Sequence, residues 1–196
     1  ADACRALARW RRGGLRQFRM ALNLSQNQLH DPDFVESVHS SLNRYGLRPA
    51  DLELEVTEGI VMGSDDRAVD ELARLRQEGA HIVLDDFGTG HSSLLRLKQL
   101  PLDVLKIDRS FVDEVDTSNN TAAITGAIIA LAQELNLVTV GEGVETLSQA
   151  QWLGTKGCNR LQGYLYAKPV HEQLVVETIR AIERGGERKL LRPAVA

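Results

Sequence analysis

Cysteine is scarce in this chain of 196 residues: only Cys4 and Cys158 occur. They are far apart and match no zinc or redox spacing, which points to reduced structural thiols of a cytosolic domain, free or attached to a membrane-anchored parent. A basic cluster is lacking too. The formal net charge is −4, and nothing follows a phosphate backbone with Lys and Arg, so a nucleic-acid polymer is excluded as a partner. No run has the apolar length of a membrane span and no stretch has the layout of a signal peptide. Internal repeats, low-complexity tracts and linkers are absent before the closing GGERKLLRPAVA. The expected division is a domain over 1–185 and a tail over 186–196. What is present has the apolar (43%) and charged (26%) fractions of an ordinary globular protein, long enough to bury a core.

The opening ADACRALARWRR has helical spacing, with Cys4, Leu7, Ala8 and Trp10 on or near one face. It begins without an initiator Met and without a cap, so the chain is expected to be a piece of a longer protein. From there, β-like runs alternate with helical patterns. Strands are predicted at 19–25, 52–58, 81–87, 104–109, 137–145 and 160–166. Helices are predicted at 31–46, 66–78, 92–98, 119–135, 147–153 and 171–183. The first of these takes Asp31 as its cap, Pro32 at its first position and Gly46 as its stop. Such alternation implies an α/β fold with parallel strands and helices outside them. Six units are two fewer than a closed (β/α)8 barrel contains.

Strand phase then picks out candidate site residues, because alternate side chains point to opposite faces. Leu52, Leu54 and Val56 share one face of their strand, while Glu53, Glu55 and Thr57 share the other. Asp85 shares a face with His81 and Val83, and Lys106 with Asp108. Every strand carries a polar group that can project toward one rim, and in parallel α/β folds the C-terminal rim is where active sites form. The pooled set is Asn23, Glu55, Glu58, Asp85, Asp86, Lys106, Asp108, Glu142, Glu145 and Gln162. Oxygen ligands dominate it and Cys and His are absent from it, which suits Mg²⁺ or Mn²⁺ rather than zinc. In VLDDFGTG, two adjacent acids end an apolar strand. They make sense if two cations lie roughly 4 Å apart, with one carboxylate bridging and its neighbour holding the second ion. The glycines that follow, with Ser92 and Ser93 at a helix start, would let a phosphorylated ligand approach backbone amides.

The ordered stretches NLS, ELEVTE, LDDFGTGHSSL, LPLDVLKIDRSFV, GEGVET and QGYLYAKP resemble the consecutive motifs of the EAL-domain family. That family comprises phosphodiesterases that open the bacterial second messenger cyclic di-GMP to linear pGpG. The resemblance covers about residues 1–170. It implies a modified (β/α)8 TIM barrel whose first strand runs antiparallel to the rest, and whose first two strands are missing from this chain. The second of those would carry the Glu-Ala-Leu sequence that supplies a further metal ligand. By the same resemblance, Asn23, Glu55, Asp85, Asp86 and Glu142 hold two Mg²⁺ or Mn²⁺ ions. Lys106, with Glu142 and Asp85, is catalytic, positioning and activating the attacking water. Asn23, Asp86 and Gln162 contact substrate, and Glu58 holds the DFGTG loop. The family pattern further implies a homodimer through the region of 91–98 and the segment after Ser110, where Leu94, Leu95, Leu97, Phe111 and Val112 supply apolar surface. An upstream sensory or GGDEF domain is implied for the parent. His91 stands where tyrosine is usual and Gly141 where alanine is usual.

Plainer readings stand beside these. Asp85 and Asp86 alone read equally as a turn with helix-capping acids. Lys106 reads also as an ion-pair partner of Asp108 or Glu142. Glu53 reads as a partner inside the lower barrel, His81 and His171 as surface or edge residues, and Thr146 as a helix cap. At the level of function, a cyclic di-GMP receptor without catalysis and a dimerising scaffold are the alternatives to a phosphodiesterase.

Overall fold

The computed structural model describes residues 1–15, 18–88 and 94–189. The predicted start of a helix at Ser92, the GTG glycine loop beyond Gly88 and the last residues of the tail lie outside them. In chain order the elements are α1 (Asp2–Arg12), β1 (Met20–Asn23), α2 (Gln26–Leu29), α3 (Phe34–Tyr45), β2 (Leu52–Thr57), α4 (Glu58–Met62), α5 (Asp66–Gln77) and β3 (His81–Phe87). There follow α6 (Leu94–Gln99), β4 (Val104–Ile107), α7 (Arg109–Val112), α8 (Asn119–Glu134), β5 (Val138–Gly141), α9 (Leu147–Thr155), β6 (Arg160–Leu161) and α10 (Val175–Lys189). The six strands form one parallel sheet in sequence order, as the alternation predicts.

The two faces of that sheet bury apolar side chains to unequal extents. Leu52, Leu54, Val56, Ile82, Leu84, Leu105 and Ile107 join α1, α3, α5, α8 and α9 in the main core. The inner face carries a small separate cluster, Val83, Val104 and Val140 with Val138 against it. Curl is needed to explain the ion pairs on this inner face. Arg160 on β6 lies 3.3 Å from Glu53 on β2, which also meets Arg19 at 3.5 Å. Strands four places apart in a flat sheet would stand about 19 Å apart. The sheet therefore bends into an arc, with Glu53, Arg19 and Arg160 across its floor.

Element ends depart from the sequence reading where tertiary contacts intervene. Asp31 does not cap α3; its carboxylate accepts from the Asp33 amide, and Asp33 takes the cap position. Gly46 does close α3, in the left-handed conformation at φ 65°. β6 spans two residues where seven are expected. The cause is Gly163: a Cβ there would fall 2.1 Å from the Val144 carbonyl oxygen. The chain crosses the 142–146 loop at that point and turns, with Tyr166 N–H donating to the Gly163 carbonyl. Aromatic YLY has strand propensity, but the crossing leaves it no partner strand. The C-terminal helix begins at Val175, four residues later than expected, after a short 3-10 turn over Glu172–Leu174.

One clamp ties the first helix to the sheet. Arg11 on α1 makes two bonds of 2.6 Å to the Asp51 carboxylate, and the Arg48 amide donates to it at 2.9 Å. Burial opposes the charge on Asp51, but these donors outweigh it and hold its carboxyl below the usual range. Asp51→Asn is expected to lower stability by about 2–4 kcal/mol at neutral pH. Because the folded pKa is depressed, the contribution is full above the unfolded value, about 3.9. It is lost as pH falls through the folded value. Denaturation of both proteins from pH 7 to pH 2 should show their midpoints converging at the acid end.

Candidate active site

The C-terminal ends of β2, β3, β4 and β5 bring four charged side chains together. Lys106 Nζ on β4 lies 2.8 Å from Asp85 Oδ1 on β3, 2.8 Å from Glu142 Oε1 after β5, and 3.2 Å from Glu55 Oε1 on β2. Lys106 is 7% exposed and Asp85 9%. The partners of Lys106 thus include Glu142, one of the two that the plainer reading offers. Asp108 is instead the cap of α7, accepting from the Ser110 amide and hydroxyl.

Adjacent Asp85 and Asp86 would point to opposite faces of a regular strand. Pairing of β3 with β4 shifts between Leu84 and Phe87, and Asp86 lies at φ 53°. Such an irregularity re-aims side chains. As a result Asp85, Asp86 and Glu142 can each offer one oxygen within 4.8 Å of the others. A left-handed conformation costs a non-glycine residue about 1 kcal/mol, so the surroundings must hold Asp86 in it. Glu58 sits at the first position of α4 rather than at the end of β2, and is 3% exposed. Its Oε2 accepts from the Gly88 amide at 3.1 Å.

Charge balance makes the cluster a fit for cations. One ammonium faces three carboxylates, with Asp86 close by. Burial raises the pKa of Glu55 and of Glu142, and Lys106 only partly opposes this. Burial and then the charges of Asp85 and Asp108 raise that of Asp86. Burial works against the charge on Lys106, yet its bonds to Asp85 and Glu142 prevail and lift its pKa above the ordinary lysine value. The carboxylates therefore outnumber the positive charge available, and hard divalent cations would correct the deficit through oxygen donors alone.

The remaining candidates are peripheral. Asn23 ends β1 in register with Glu55, and Gln162 follows β6; both are exposed. The two therefore flank the charged cluster from the edge strands. Glu145 pairs with Arg109 at 3.0 Å, away from Lys106. Thr146 caps α9 through a capping box with Gln149. Sequence reading passed over Gln149 itself, which is 5% exposed. Its Oε1 accepts from the Glu145 and Thr146 amides, and its Nε2 donates to the Asp113 carbonyl. It ties the loop carrying Glu142 to the end of α7, and the Thr-x-x-Gln capping signature marks it. The apolar surface expected around α6 and α7 is corrected: Leu97 (2%) and Val112 (0%) are core residues. Phe111 is part-buried and packs against Gly88, whereas Leu95 is 70% exposed. The side chain of Leu94 lies outside the described residues.

A family model described as the EAL domain matches residues 1–169. The chain belongs to the EAL-domain family. It is 43% identical over 178 residues to the bifunctional diguanylate cyclase/cyclic di-GMP phosphodiesterase MucR of Pseudomonas aeruginosa, across 91% of this chain and 26% of that protein. The chain thus spans about a quarter of that relative's length. The solved cyclic di-GMP complex of the PaMucR phosphodiesterase superposes with a TM-score of 0.82 at 46% identity, covering 88% of this chain and 70% of that one. BlrP1 of Klebsiella pneumoniae, in a manganese and cyclic di-GMP complex, has a TM-score of 0.78 at 34% identity over 86% of this chain and 43% of its own. The six-stranded arc is accordingly a portion of an EAL-type TIM barrel. No helix among the described residues of this EAL domain is long and apolar enough to cross a membrane.

Proposed function

We propose that this EAL domain, within its full-length protein, hydrolyses cyclic di-GMP to linear pGpG with Mg²⁺ or Mn²⁺. The observation that carries the reading is the Lys106 ammonium ringed by Asp85, Glu142 and Glu55 at the barrel rim. Asn23, Glu55, Asp85, Asp86 and Glu142 would hold two cations. When bound, divalent cations acidify water and offset charge on a phosphoryl group. Lys106 stays protonated through the neutral range, so it acts as a fixed positive donor rather than a base. Its three N–H groups face Glu55, Asp85 and Glu142, and one of them would meet the attacking water or a phosphoryl oxygen where those carboxylates turn to cations. Asp85 and Glu142 hold that ammonium in place, and as carboxylates they are the acceptors the cluster offers for the water's proton. Attack of water on one phosphorus breaks its bond to the 3′ oxygen, which takes up a proton to become the 3′ hydroxyl, and the opened ring keeps the phosphate on the 5′ oxygen as pGpG. Asn23, Asp86 and Gln162 line the approach for the dinucleotide, and Glu58 holds the Gly88 amide two residues after Asp86.

The multidomain relatives support an upstream sensory or GGDEF domain in the parent, and a cytoplasmic location goes with that reading. Exposed Leu95 on α6, close in sequence to the site, supports a homodimer through that helix; a full-length protein that sediments as a monomer would remove that part. Chromatography of cyclic di-GMP incubated with the full-length protein and Mg²⁺ or Mn²⁺ tests the reaction. Accumulation of pGpG, stopped by a chelator, is expected. Binding without product would instead mark a receptor, and no binding a scaffold.

A further inference from the structure

Gly88 is held from two sides. Its amide donates to the buried Glu58 carboxylate, and the Phe111 ring occupies the space on its Cβ side. A Cβ built there would lie 2.6 Å from Phe111 Cε2 and 2.9 Å from Cζ. Gly88 is itself left-handed at φ 99°, two residues after left-handed Asp86. The backbone that carries the ring is held in turn. Thr125 on α8, fully buried, donates its hydroxyl to the Phe111 carbonyl at 2.7 Å. The neighbouring Val112 anchors α7 in the main core, and Gln149 holds the Asp113 carbonyl at the end of the same helix.

We infer that Phe111 is a positioning residue for the metal-binding conformation of Asp86. The turn from Asp85 to Gly88 contains two left-handed residues, one without the freedom of glycine, so an unrestrained segment would sample extended alternatives. A rigid ring pressed against Gly88 on one side and a carboxylate bond on the other exclude those alternatives. They leave Asp86 in the arrangement that shares a cluster with Asp85 and Glu142. Removing the ring opens space without touching a charged group, so the binding-competent state becomes a smaller fraction and apparent cation affinity falls by that fraction. Glycine at position 88 is required by the same geometry, since any side chain would displace the ring.

The inference rests on the metal reading above, and calorimetric titration of the full-length protein with Mn²⁺ alone, without nucleotide, separates the two. Saturable Mn²⁺ binding by the unaltered protein, lost in Asp85→Asn, supports the metal reading; its absence would end both claims. Given that binding, Phe111→Ala should weaken it about tenfold and Phe111→Leu by less. Val112→Ala removes fully buried volume from the same helix and should lower thermal stability with Mn²⁺ affinity unchanged. If Phe111→Ala binds Mn²⁺ as the unaltered protein does, or if Val112→Ala weakens it equally, Phe111 is only a packing residue. Should Phe111→Ala not fold, Phe111→Leu decides: unaltered affinity overturns the inference and a partial loss supports it.

Discussion

Asp85→Asn in the full-length protein should lower kcat for cyclic di-GMP hydrolysis by about 10²–10³-fold or more, a loss of the size seen when a preorganised electrostatic partner is removed. The substitution hardly changes volume but removes one negative charge from the cluster that also contains Glu55, Asp86 and Glu142. It also replaces the acceptor that Lys106 meets at 2.8 Å with a neutral amide. The measurement is steady-state turnover across a Mn²⁺ titration, with circular dichroism to verify the fold. Activity that is retained with unchanged Mn²⁺ dependence would remove Asp85 from the metal set. The pH dependence follows from the same charges. Glu55 and Glu142 have raised pKa values, so in the folded protein they release protons later than ordinary carboxylates. Metal-free stability from these groups is therefore present at low pH and lost as pH rises through the folded values. Cations compete with those protons, so Mn²⁺ affinity should strengthen across the same interval.

Lys106→Met should separate two roles that the structure joins in one side chain. In turnover, kcat should fall by about 10²–10³-fold with KM little changed, because in the proposed reaction the ammonium would act on the reacting phosphoryl group rather than on the bases of the substrate. A change in KM alone would make Lys106 a binding residue. In stability, the metal-free variant leaves Glu55, Asp85 and Glu142 facing one another with no cation between them. Removing one partner of a buried ion pair costs about 3–5 kcal/mol. The thermal midpoint should therefore drop by roughly 6–20 °C for a domain of this size. Saturating Mn²⁺ should restore most of that loss, since it supplies the missing positive charge. A variant as stable as the parent without metal would show that protonation alone neutralises the cluster.

Strand order and the identity of the rim residues follow from local rules that the amino acids obey regardless of their neighbours. Period-two alternation assigned Leu52, Leu54 and Val56 to one face and Glu53 and Glu55 to the other, and the sheet places them so. Gly46 ends α3 because a left-handed stop favours glycine wherever it occurs. What alternation cannot express is a contact between segments distant in sequence. The bulge that turns Asp86 toward Asp85 depends on how β3 pairs with β4. The early end of β6 depends on the Val144 backbone crossing Gly163. Val112 and Leu97 read as surface because their short segments show no period, yet they are core once α8 and the sheet cover them. Lys106 showed the same limit, since its partners stand on β2, β3 and the end of β5. The sequence by itself determined which residues reach the rim, through side-chain alternation and turn chemistry. The tertiary structure decided which of them touch, because the curl of the sheet and the crossing loops set distances that no local pattern encodes.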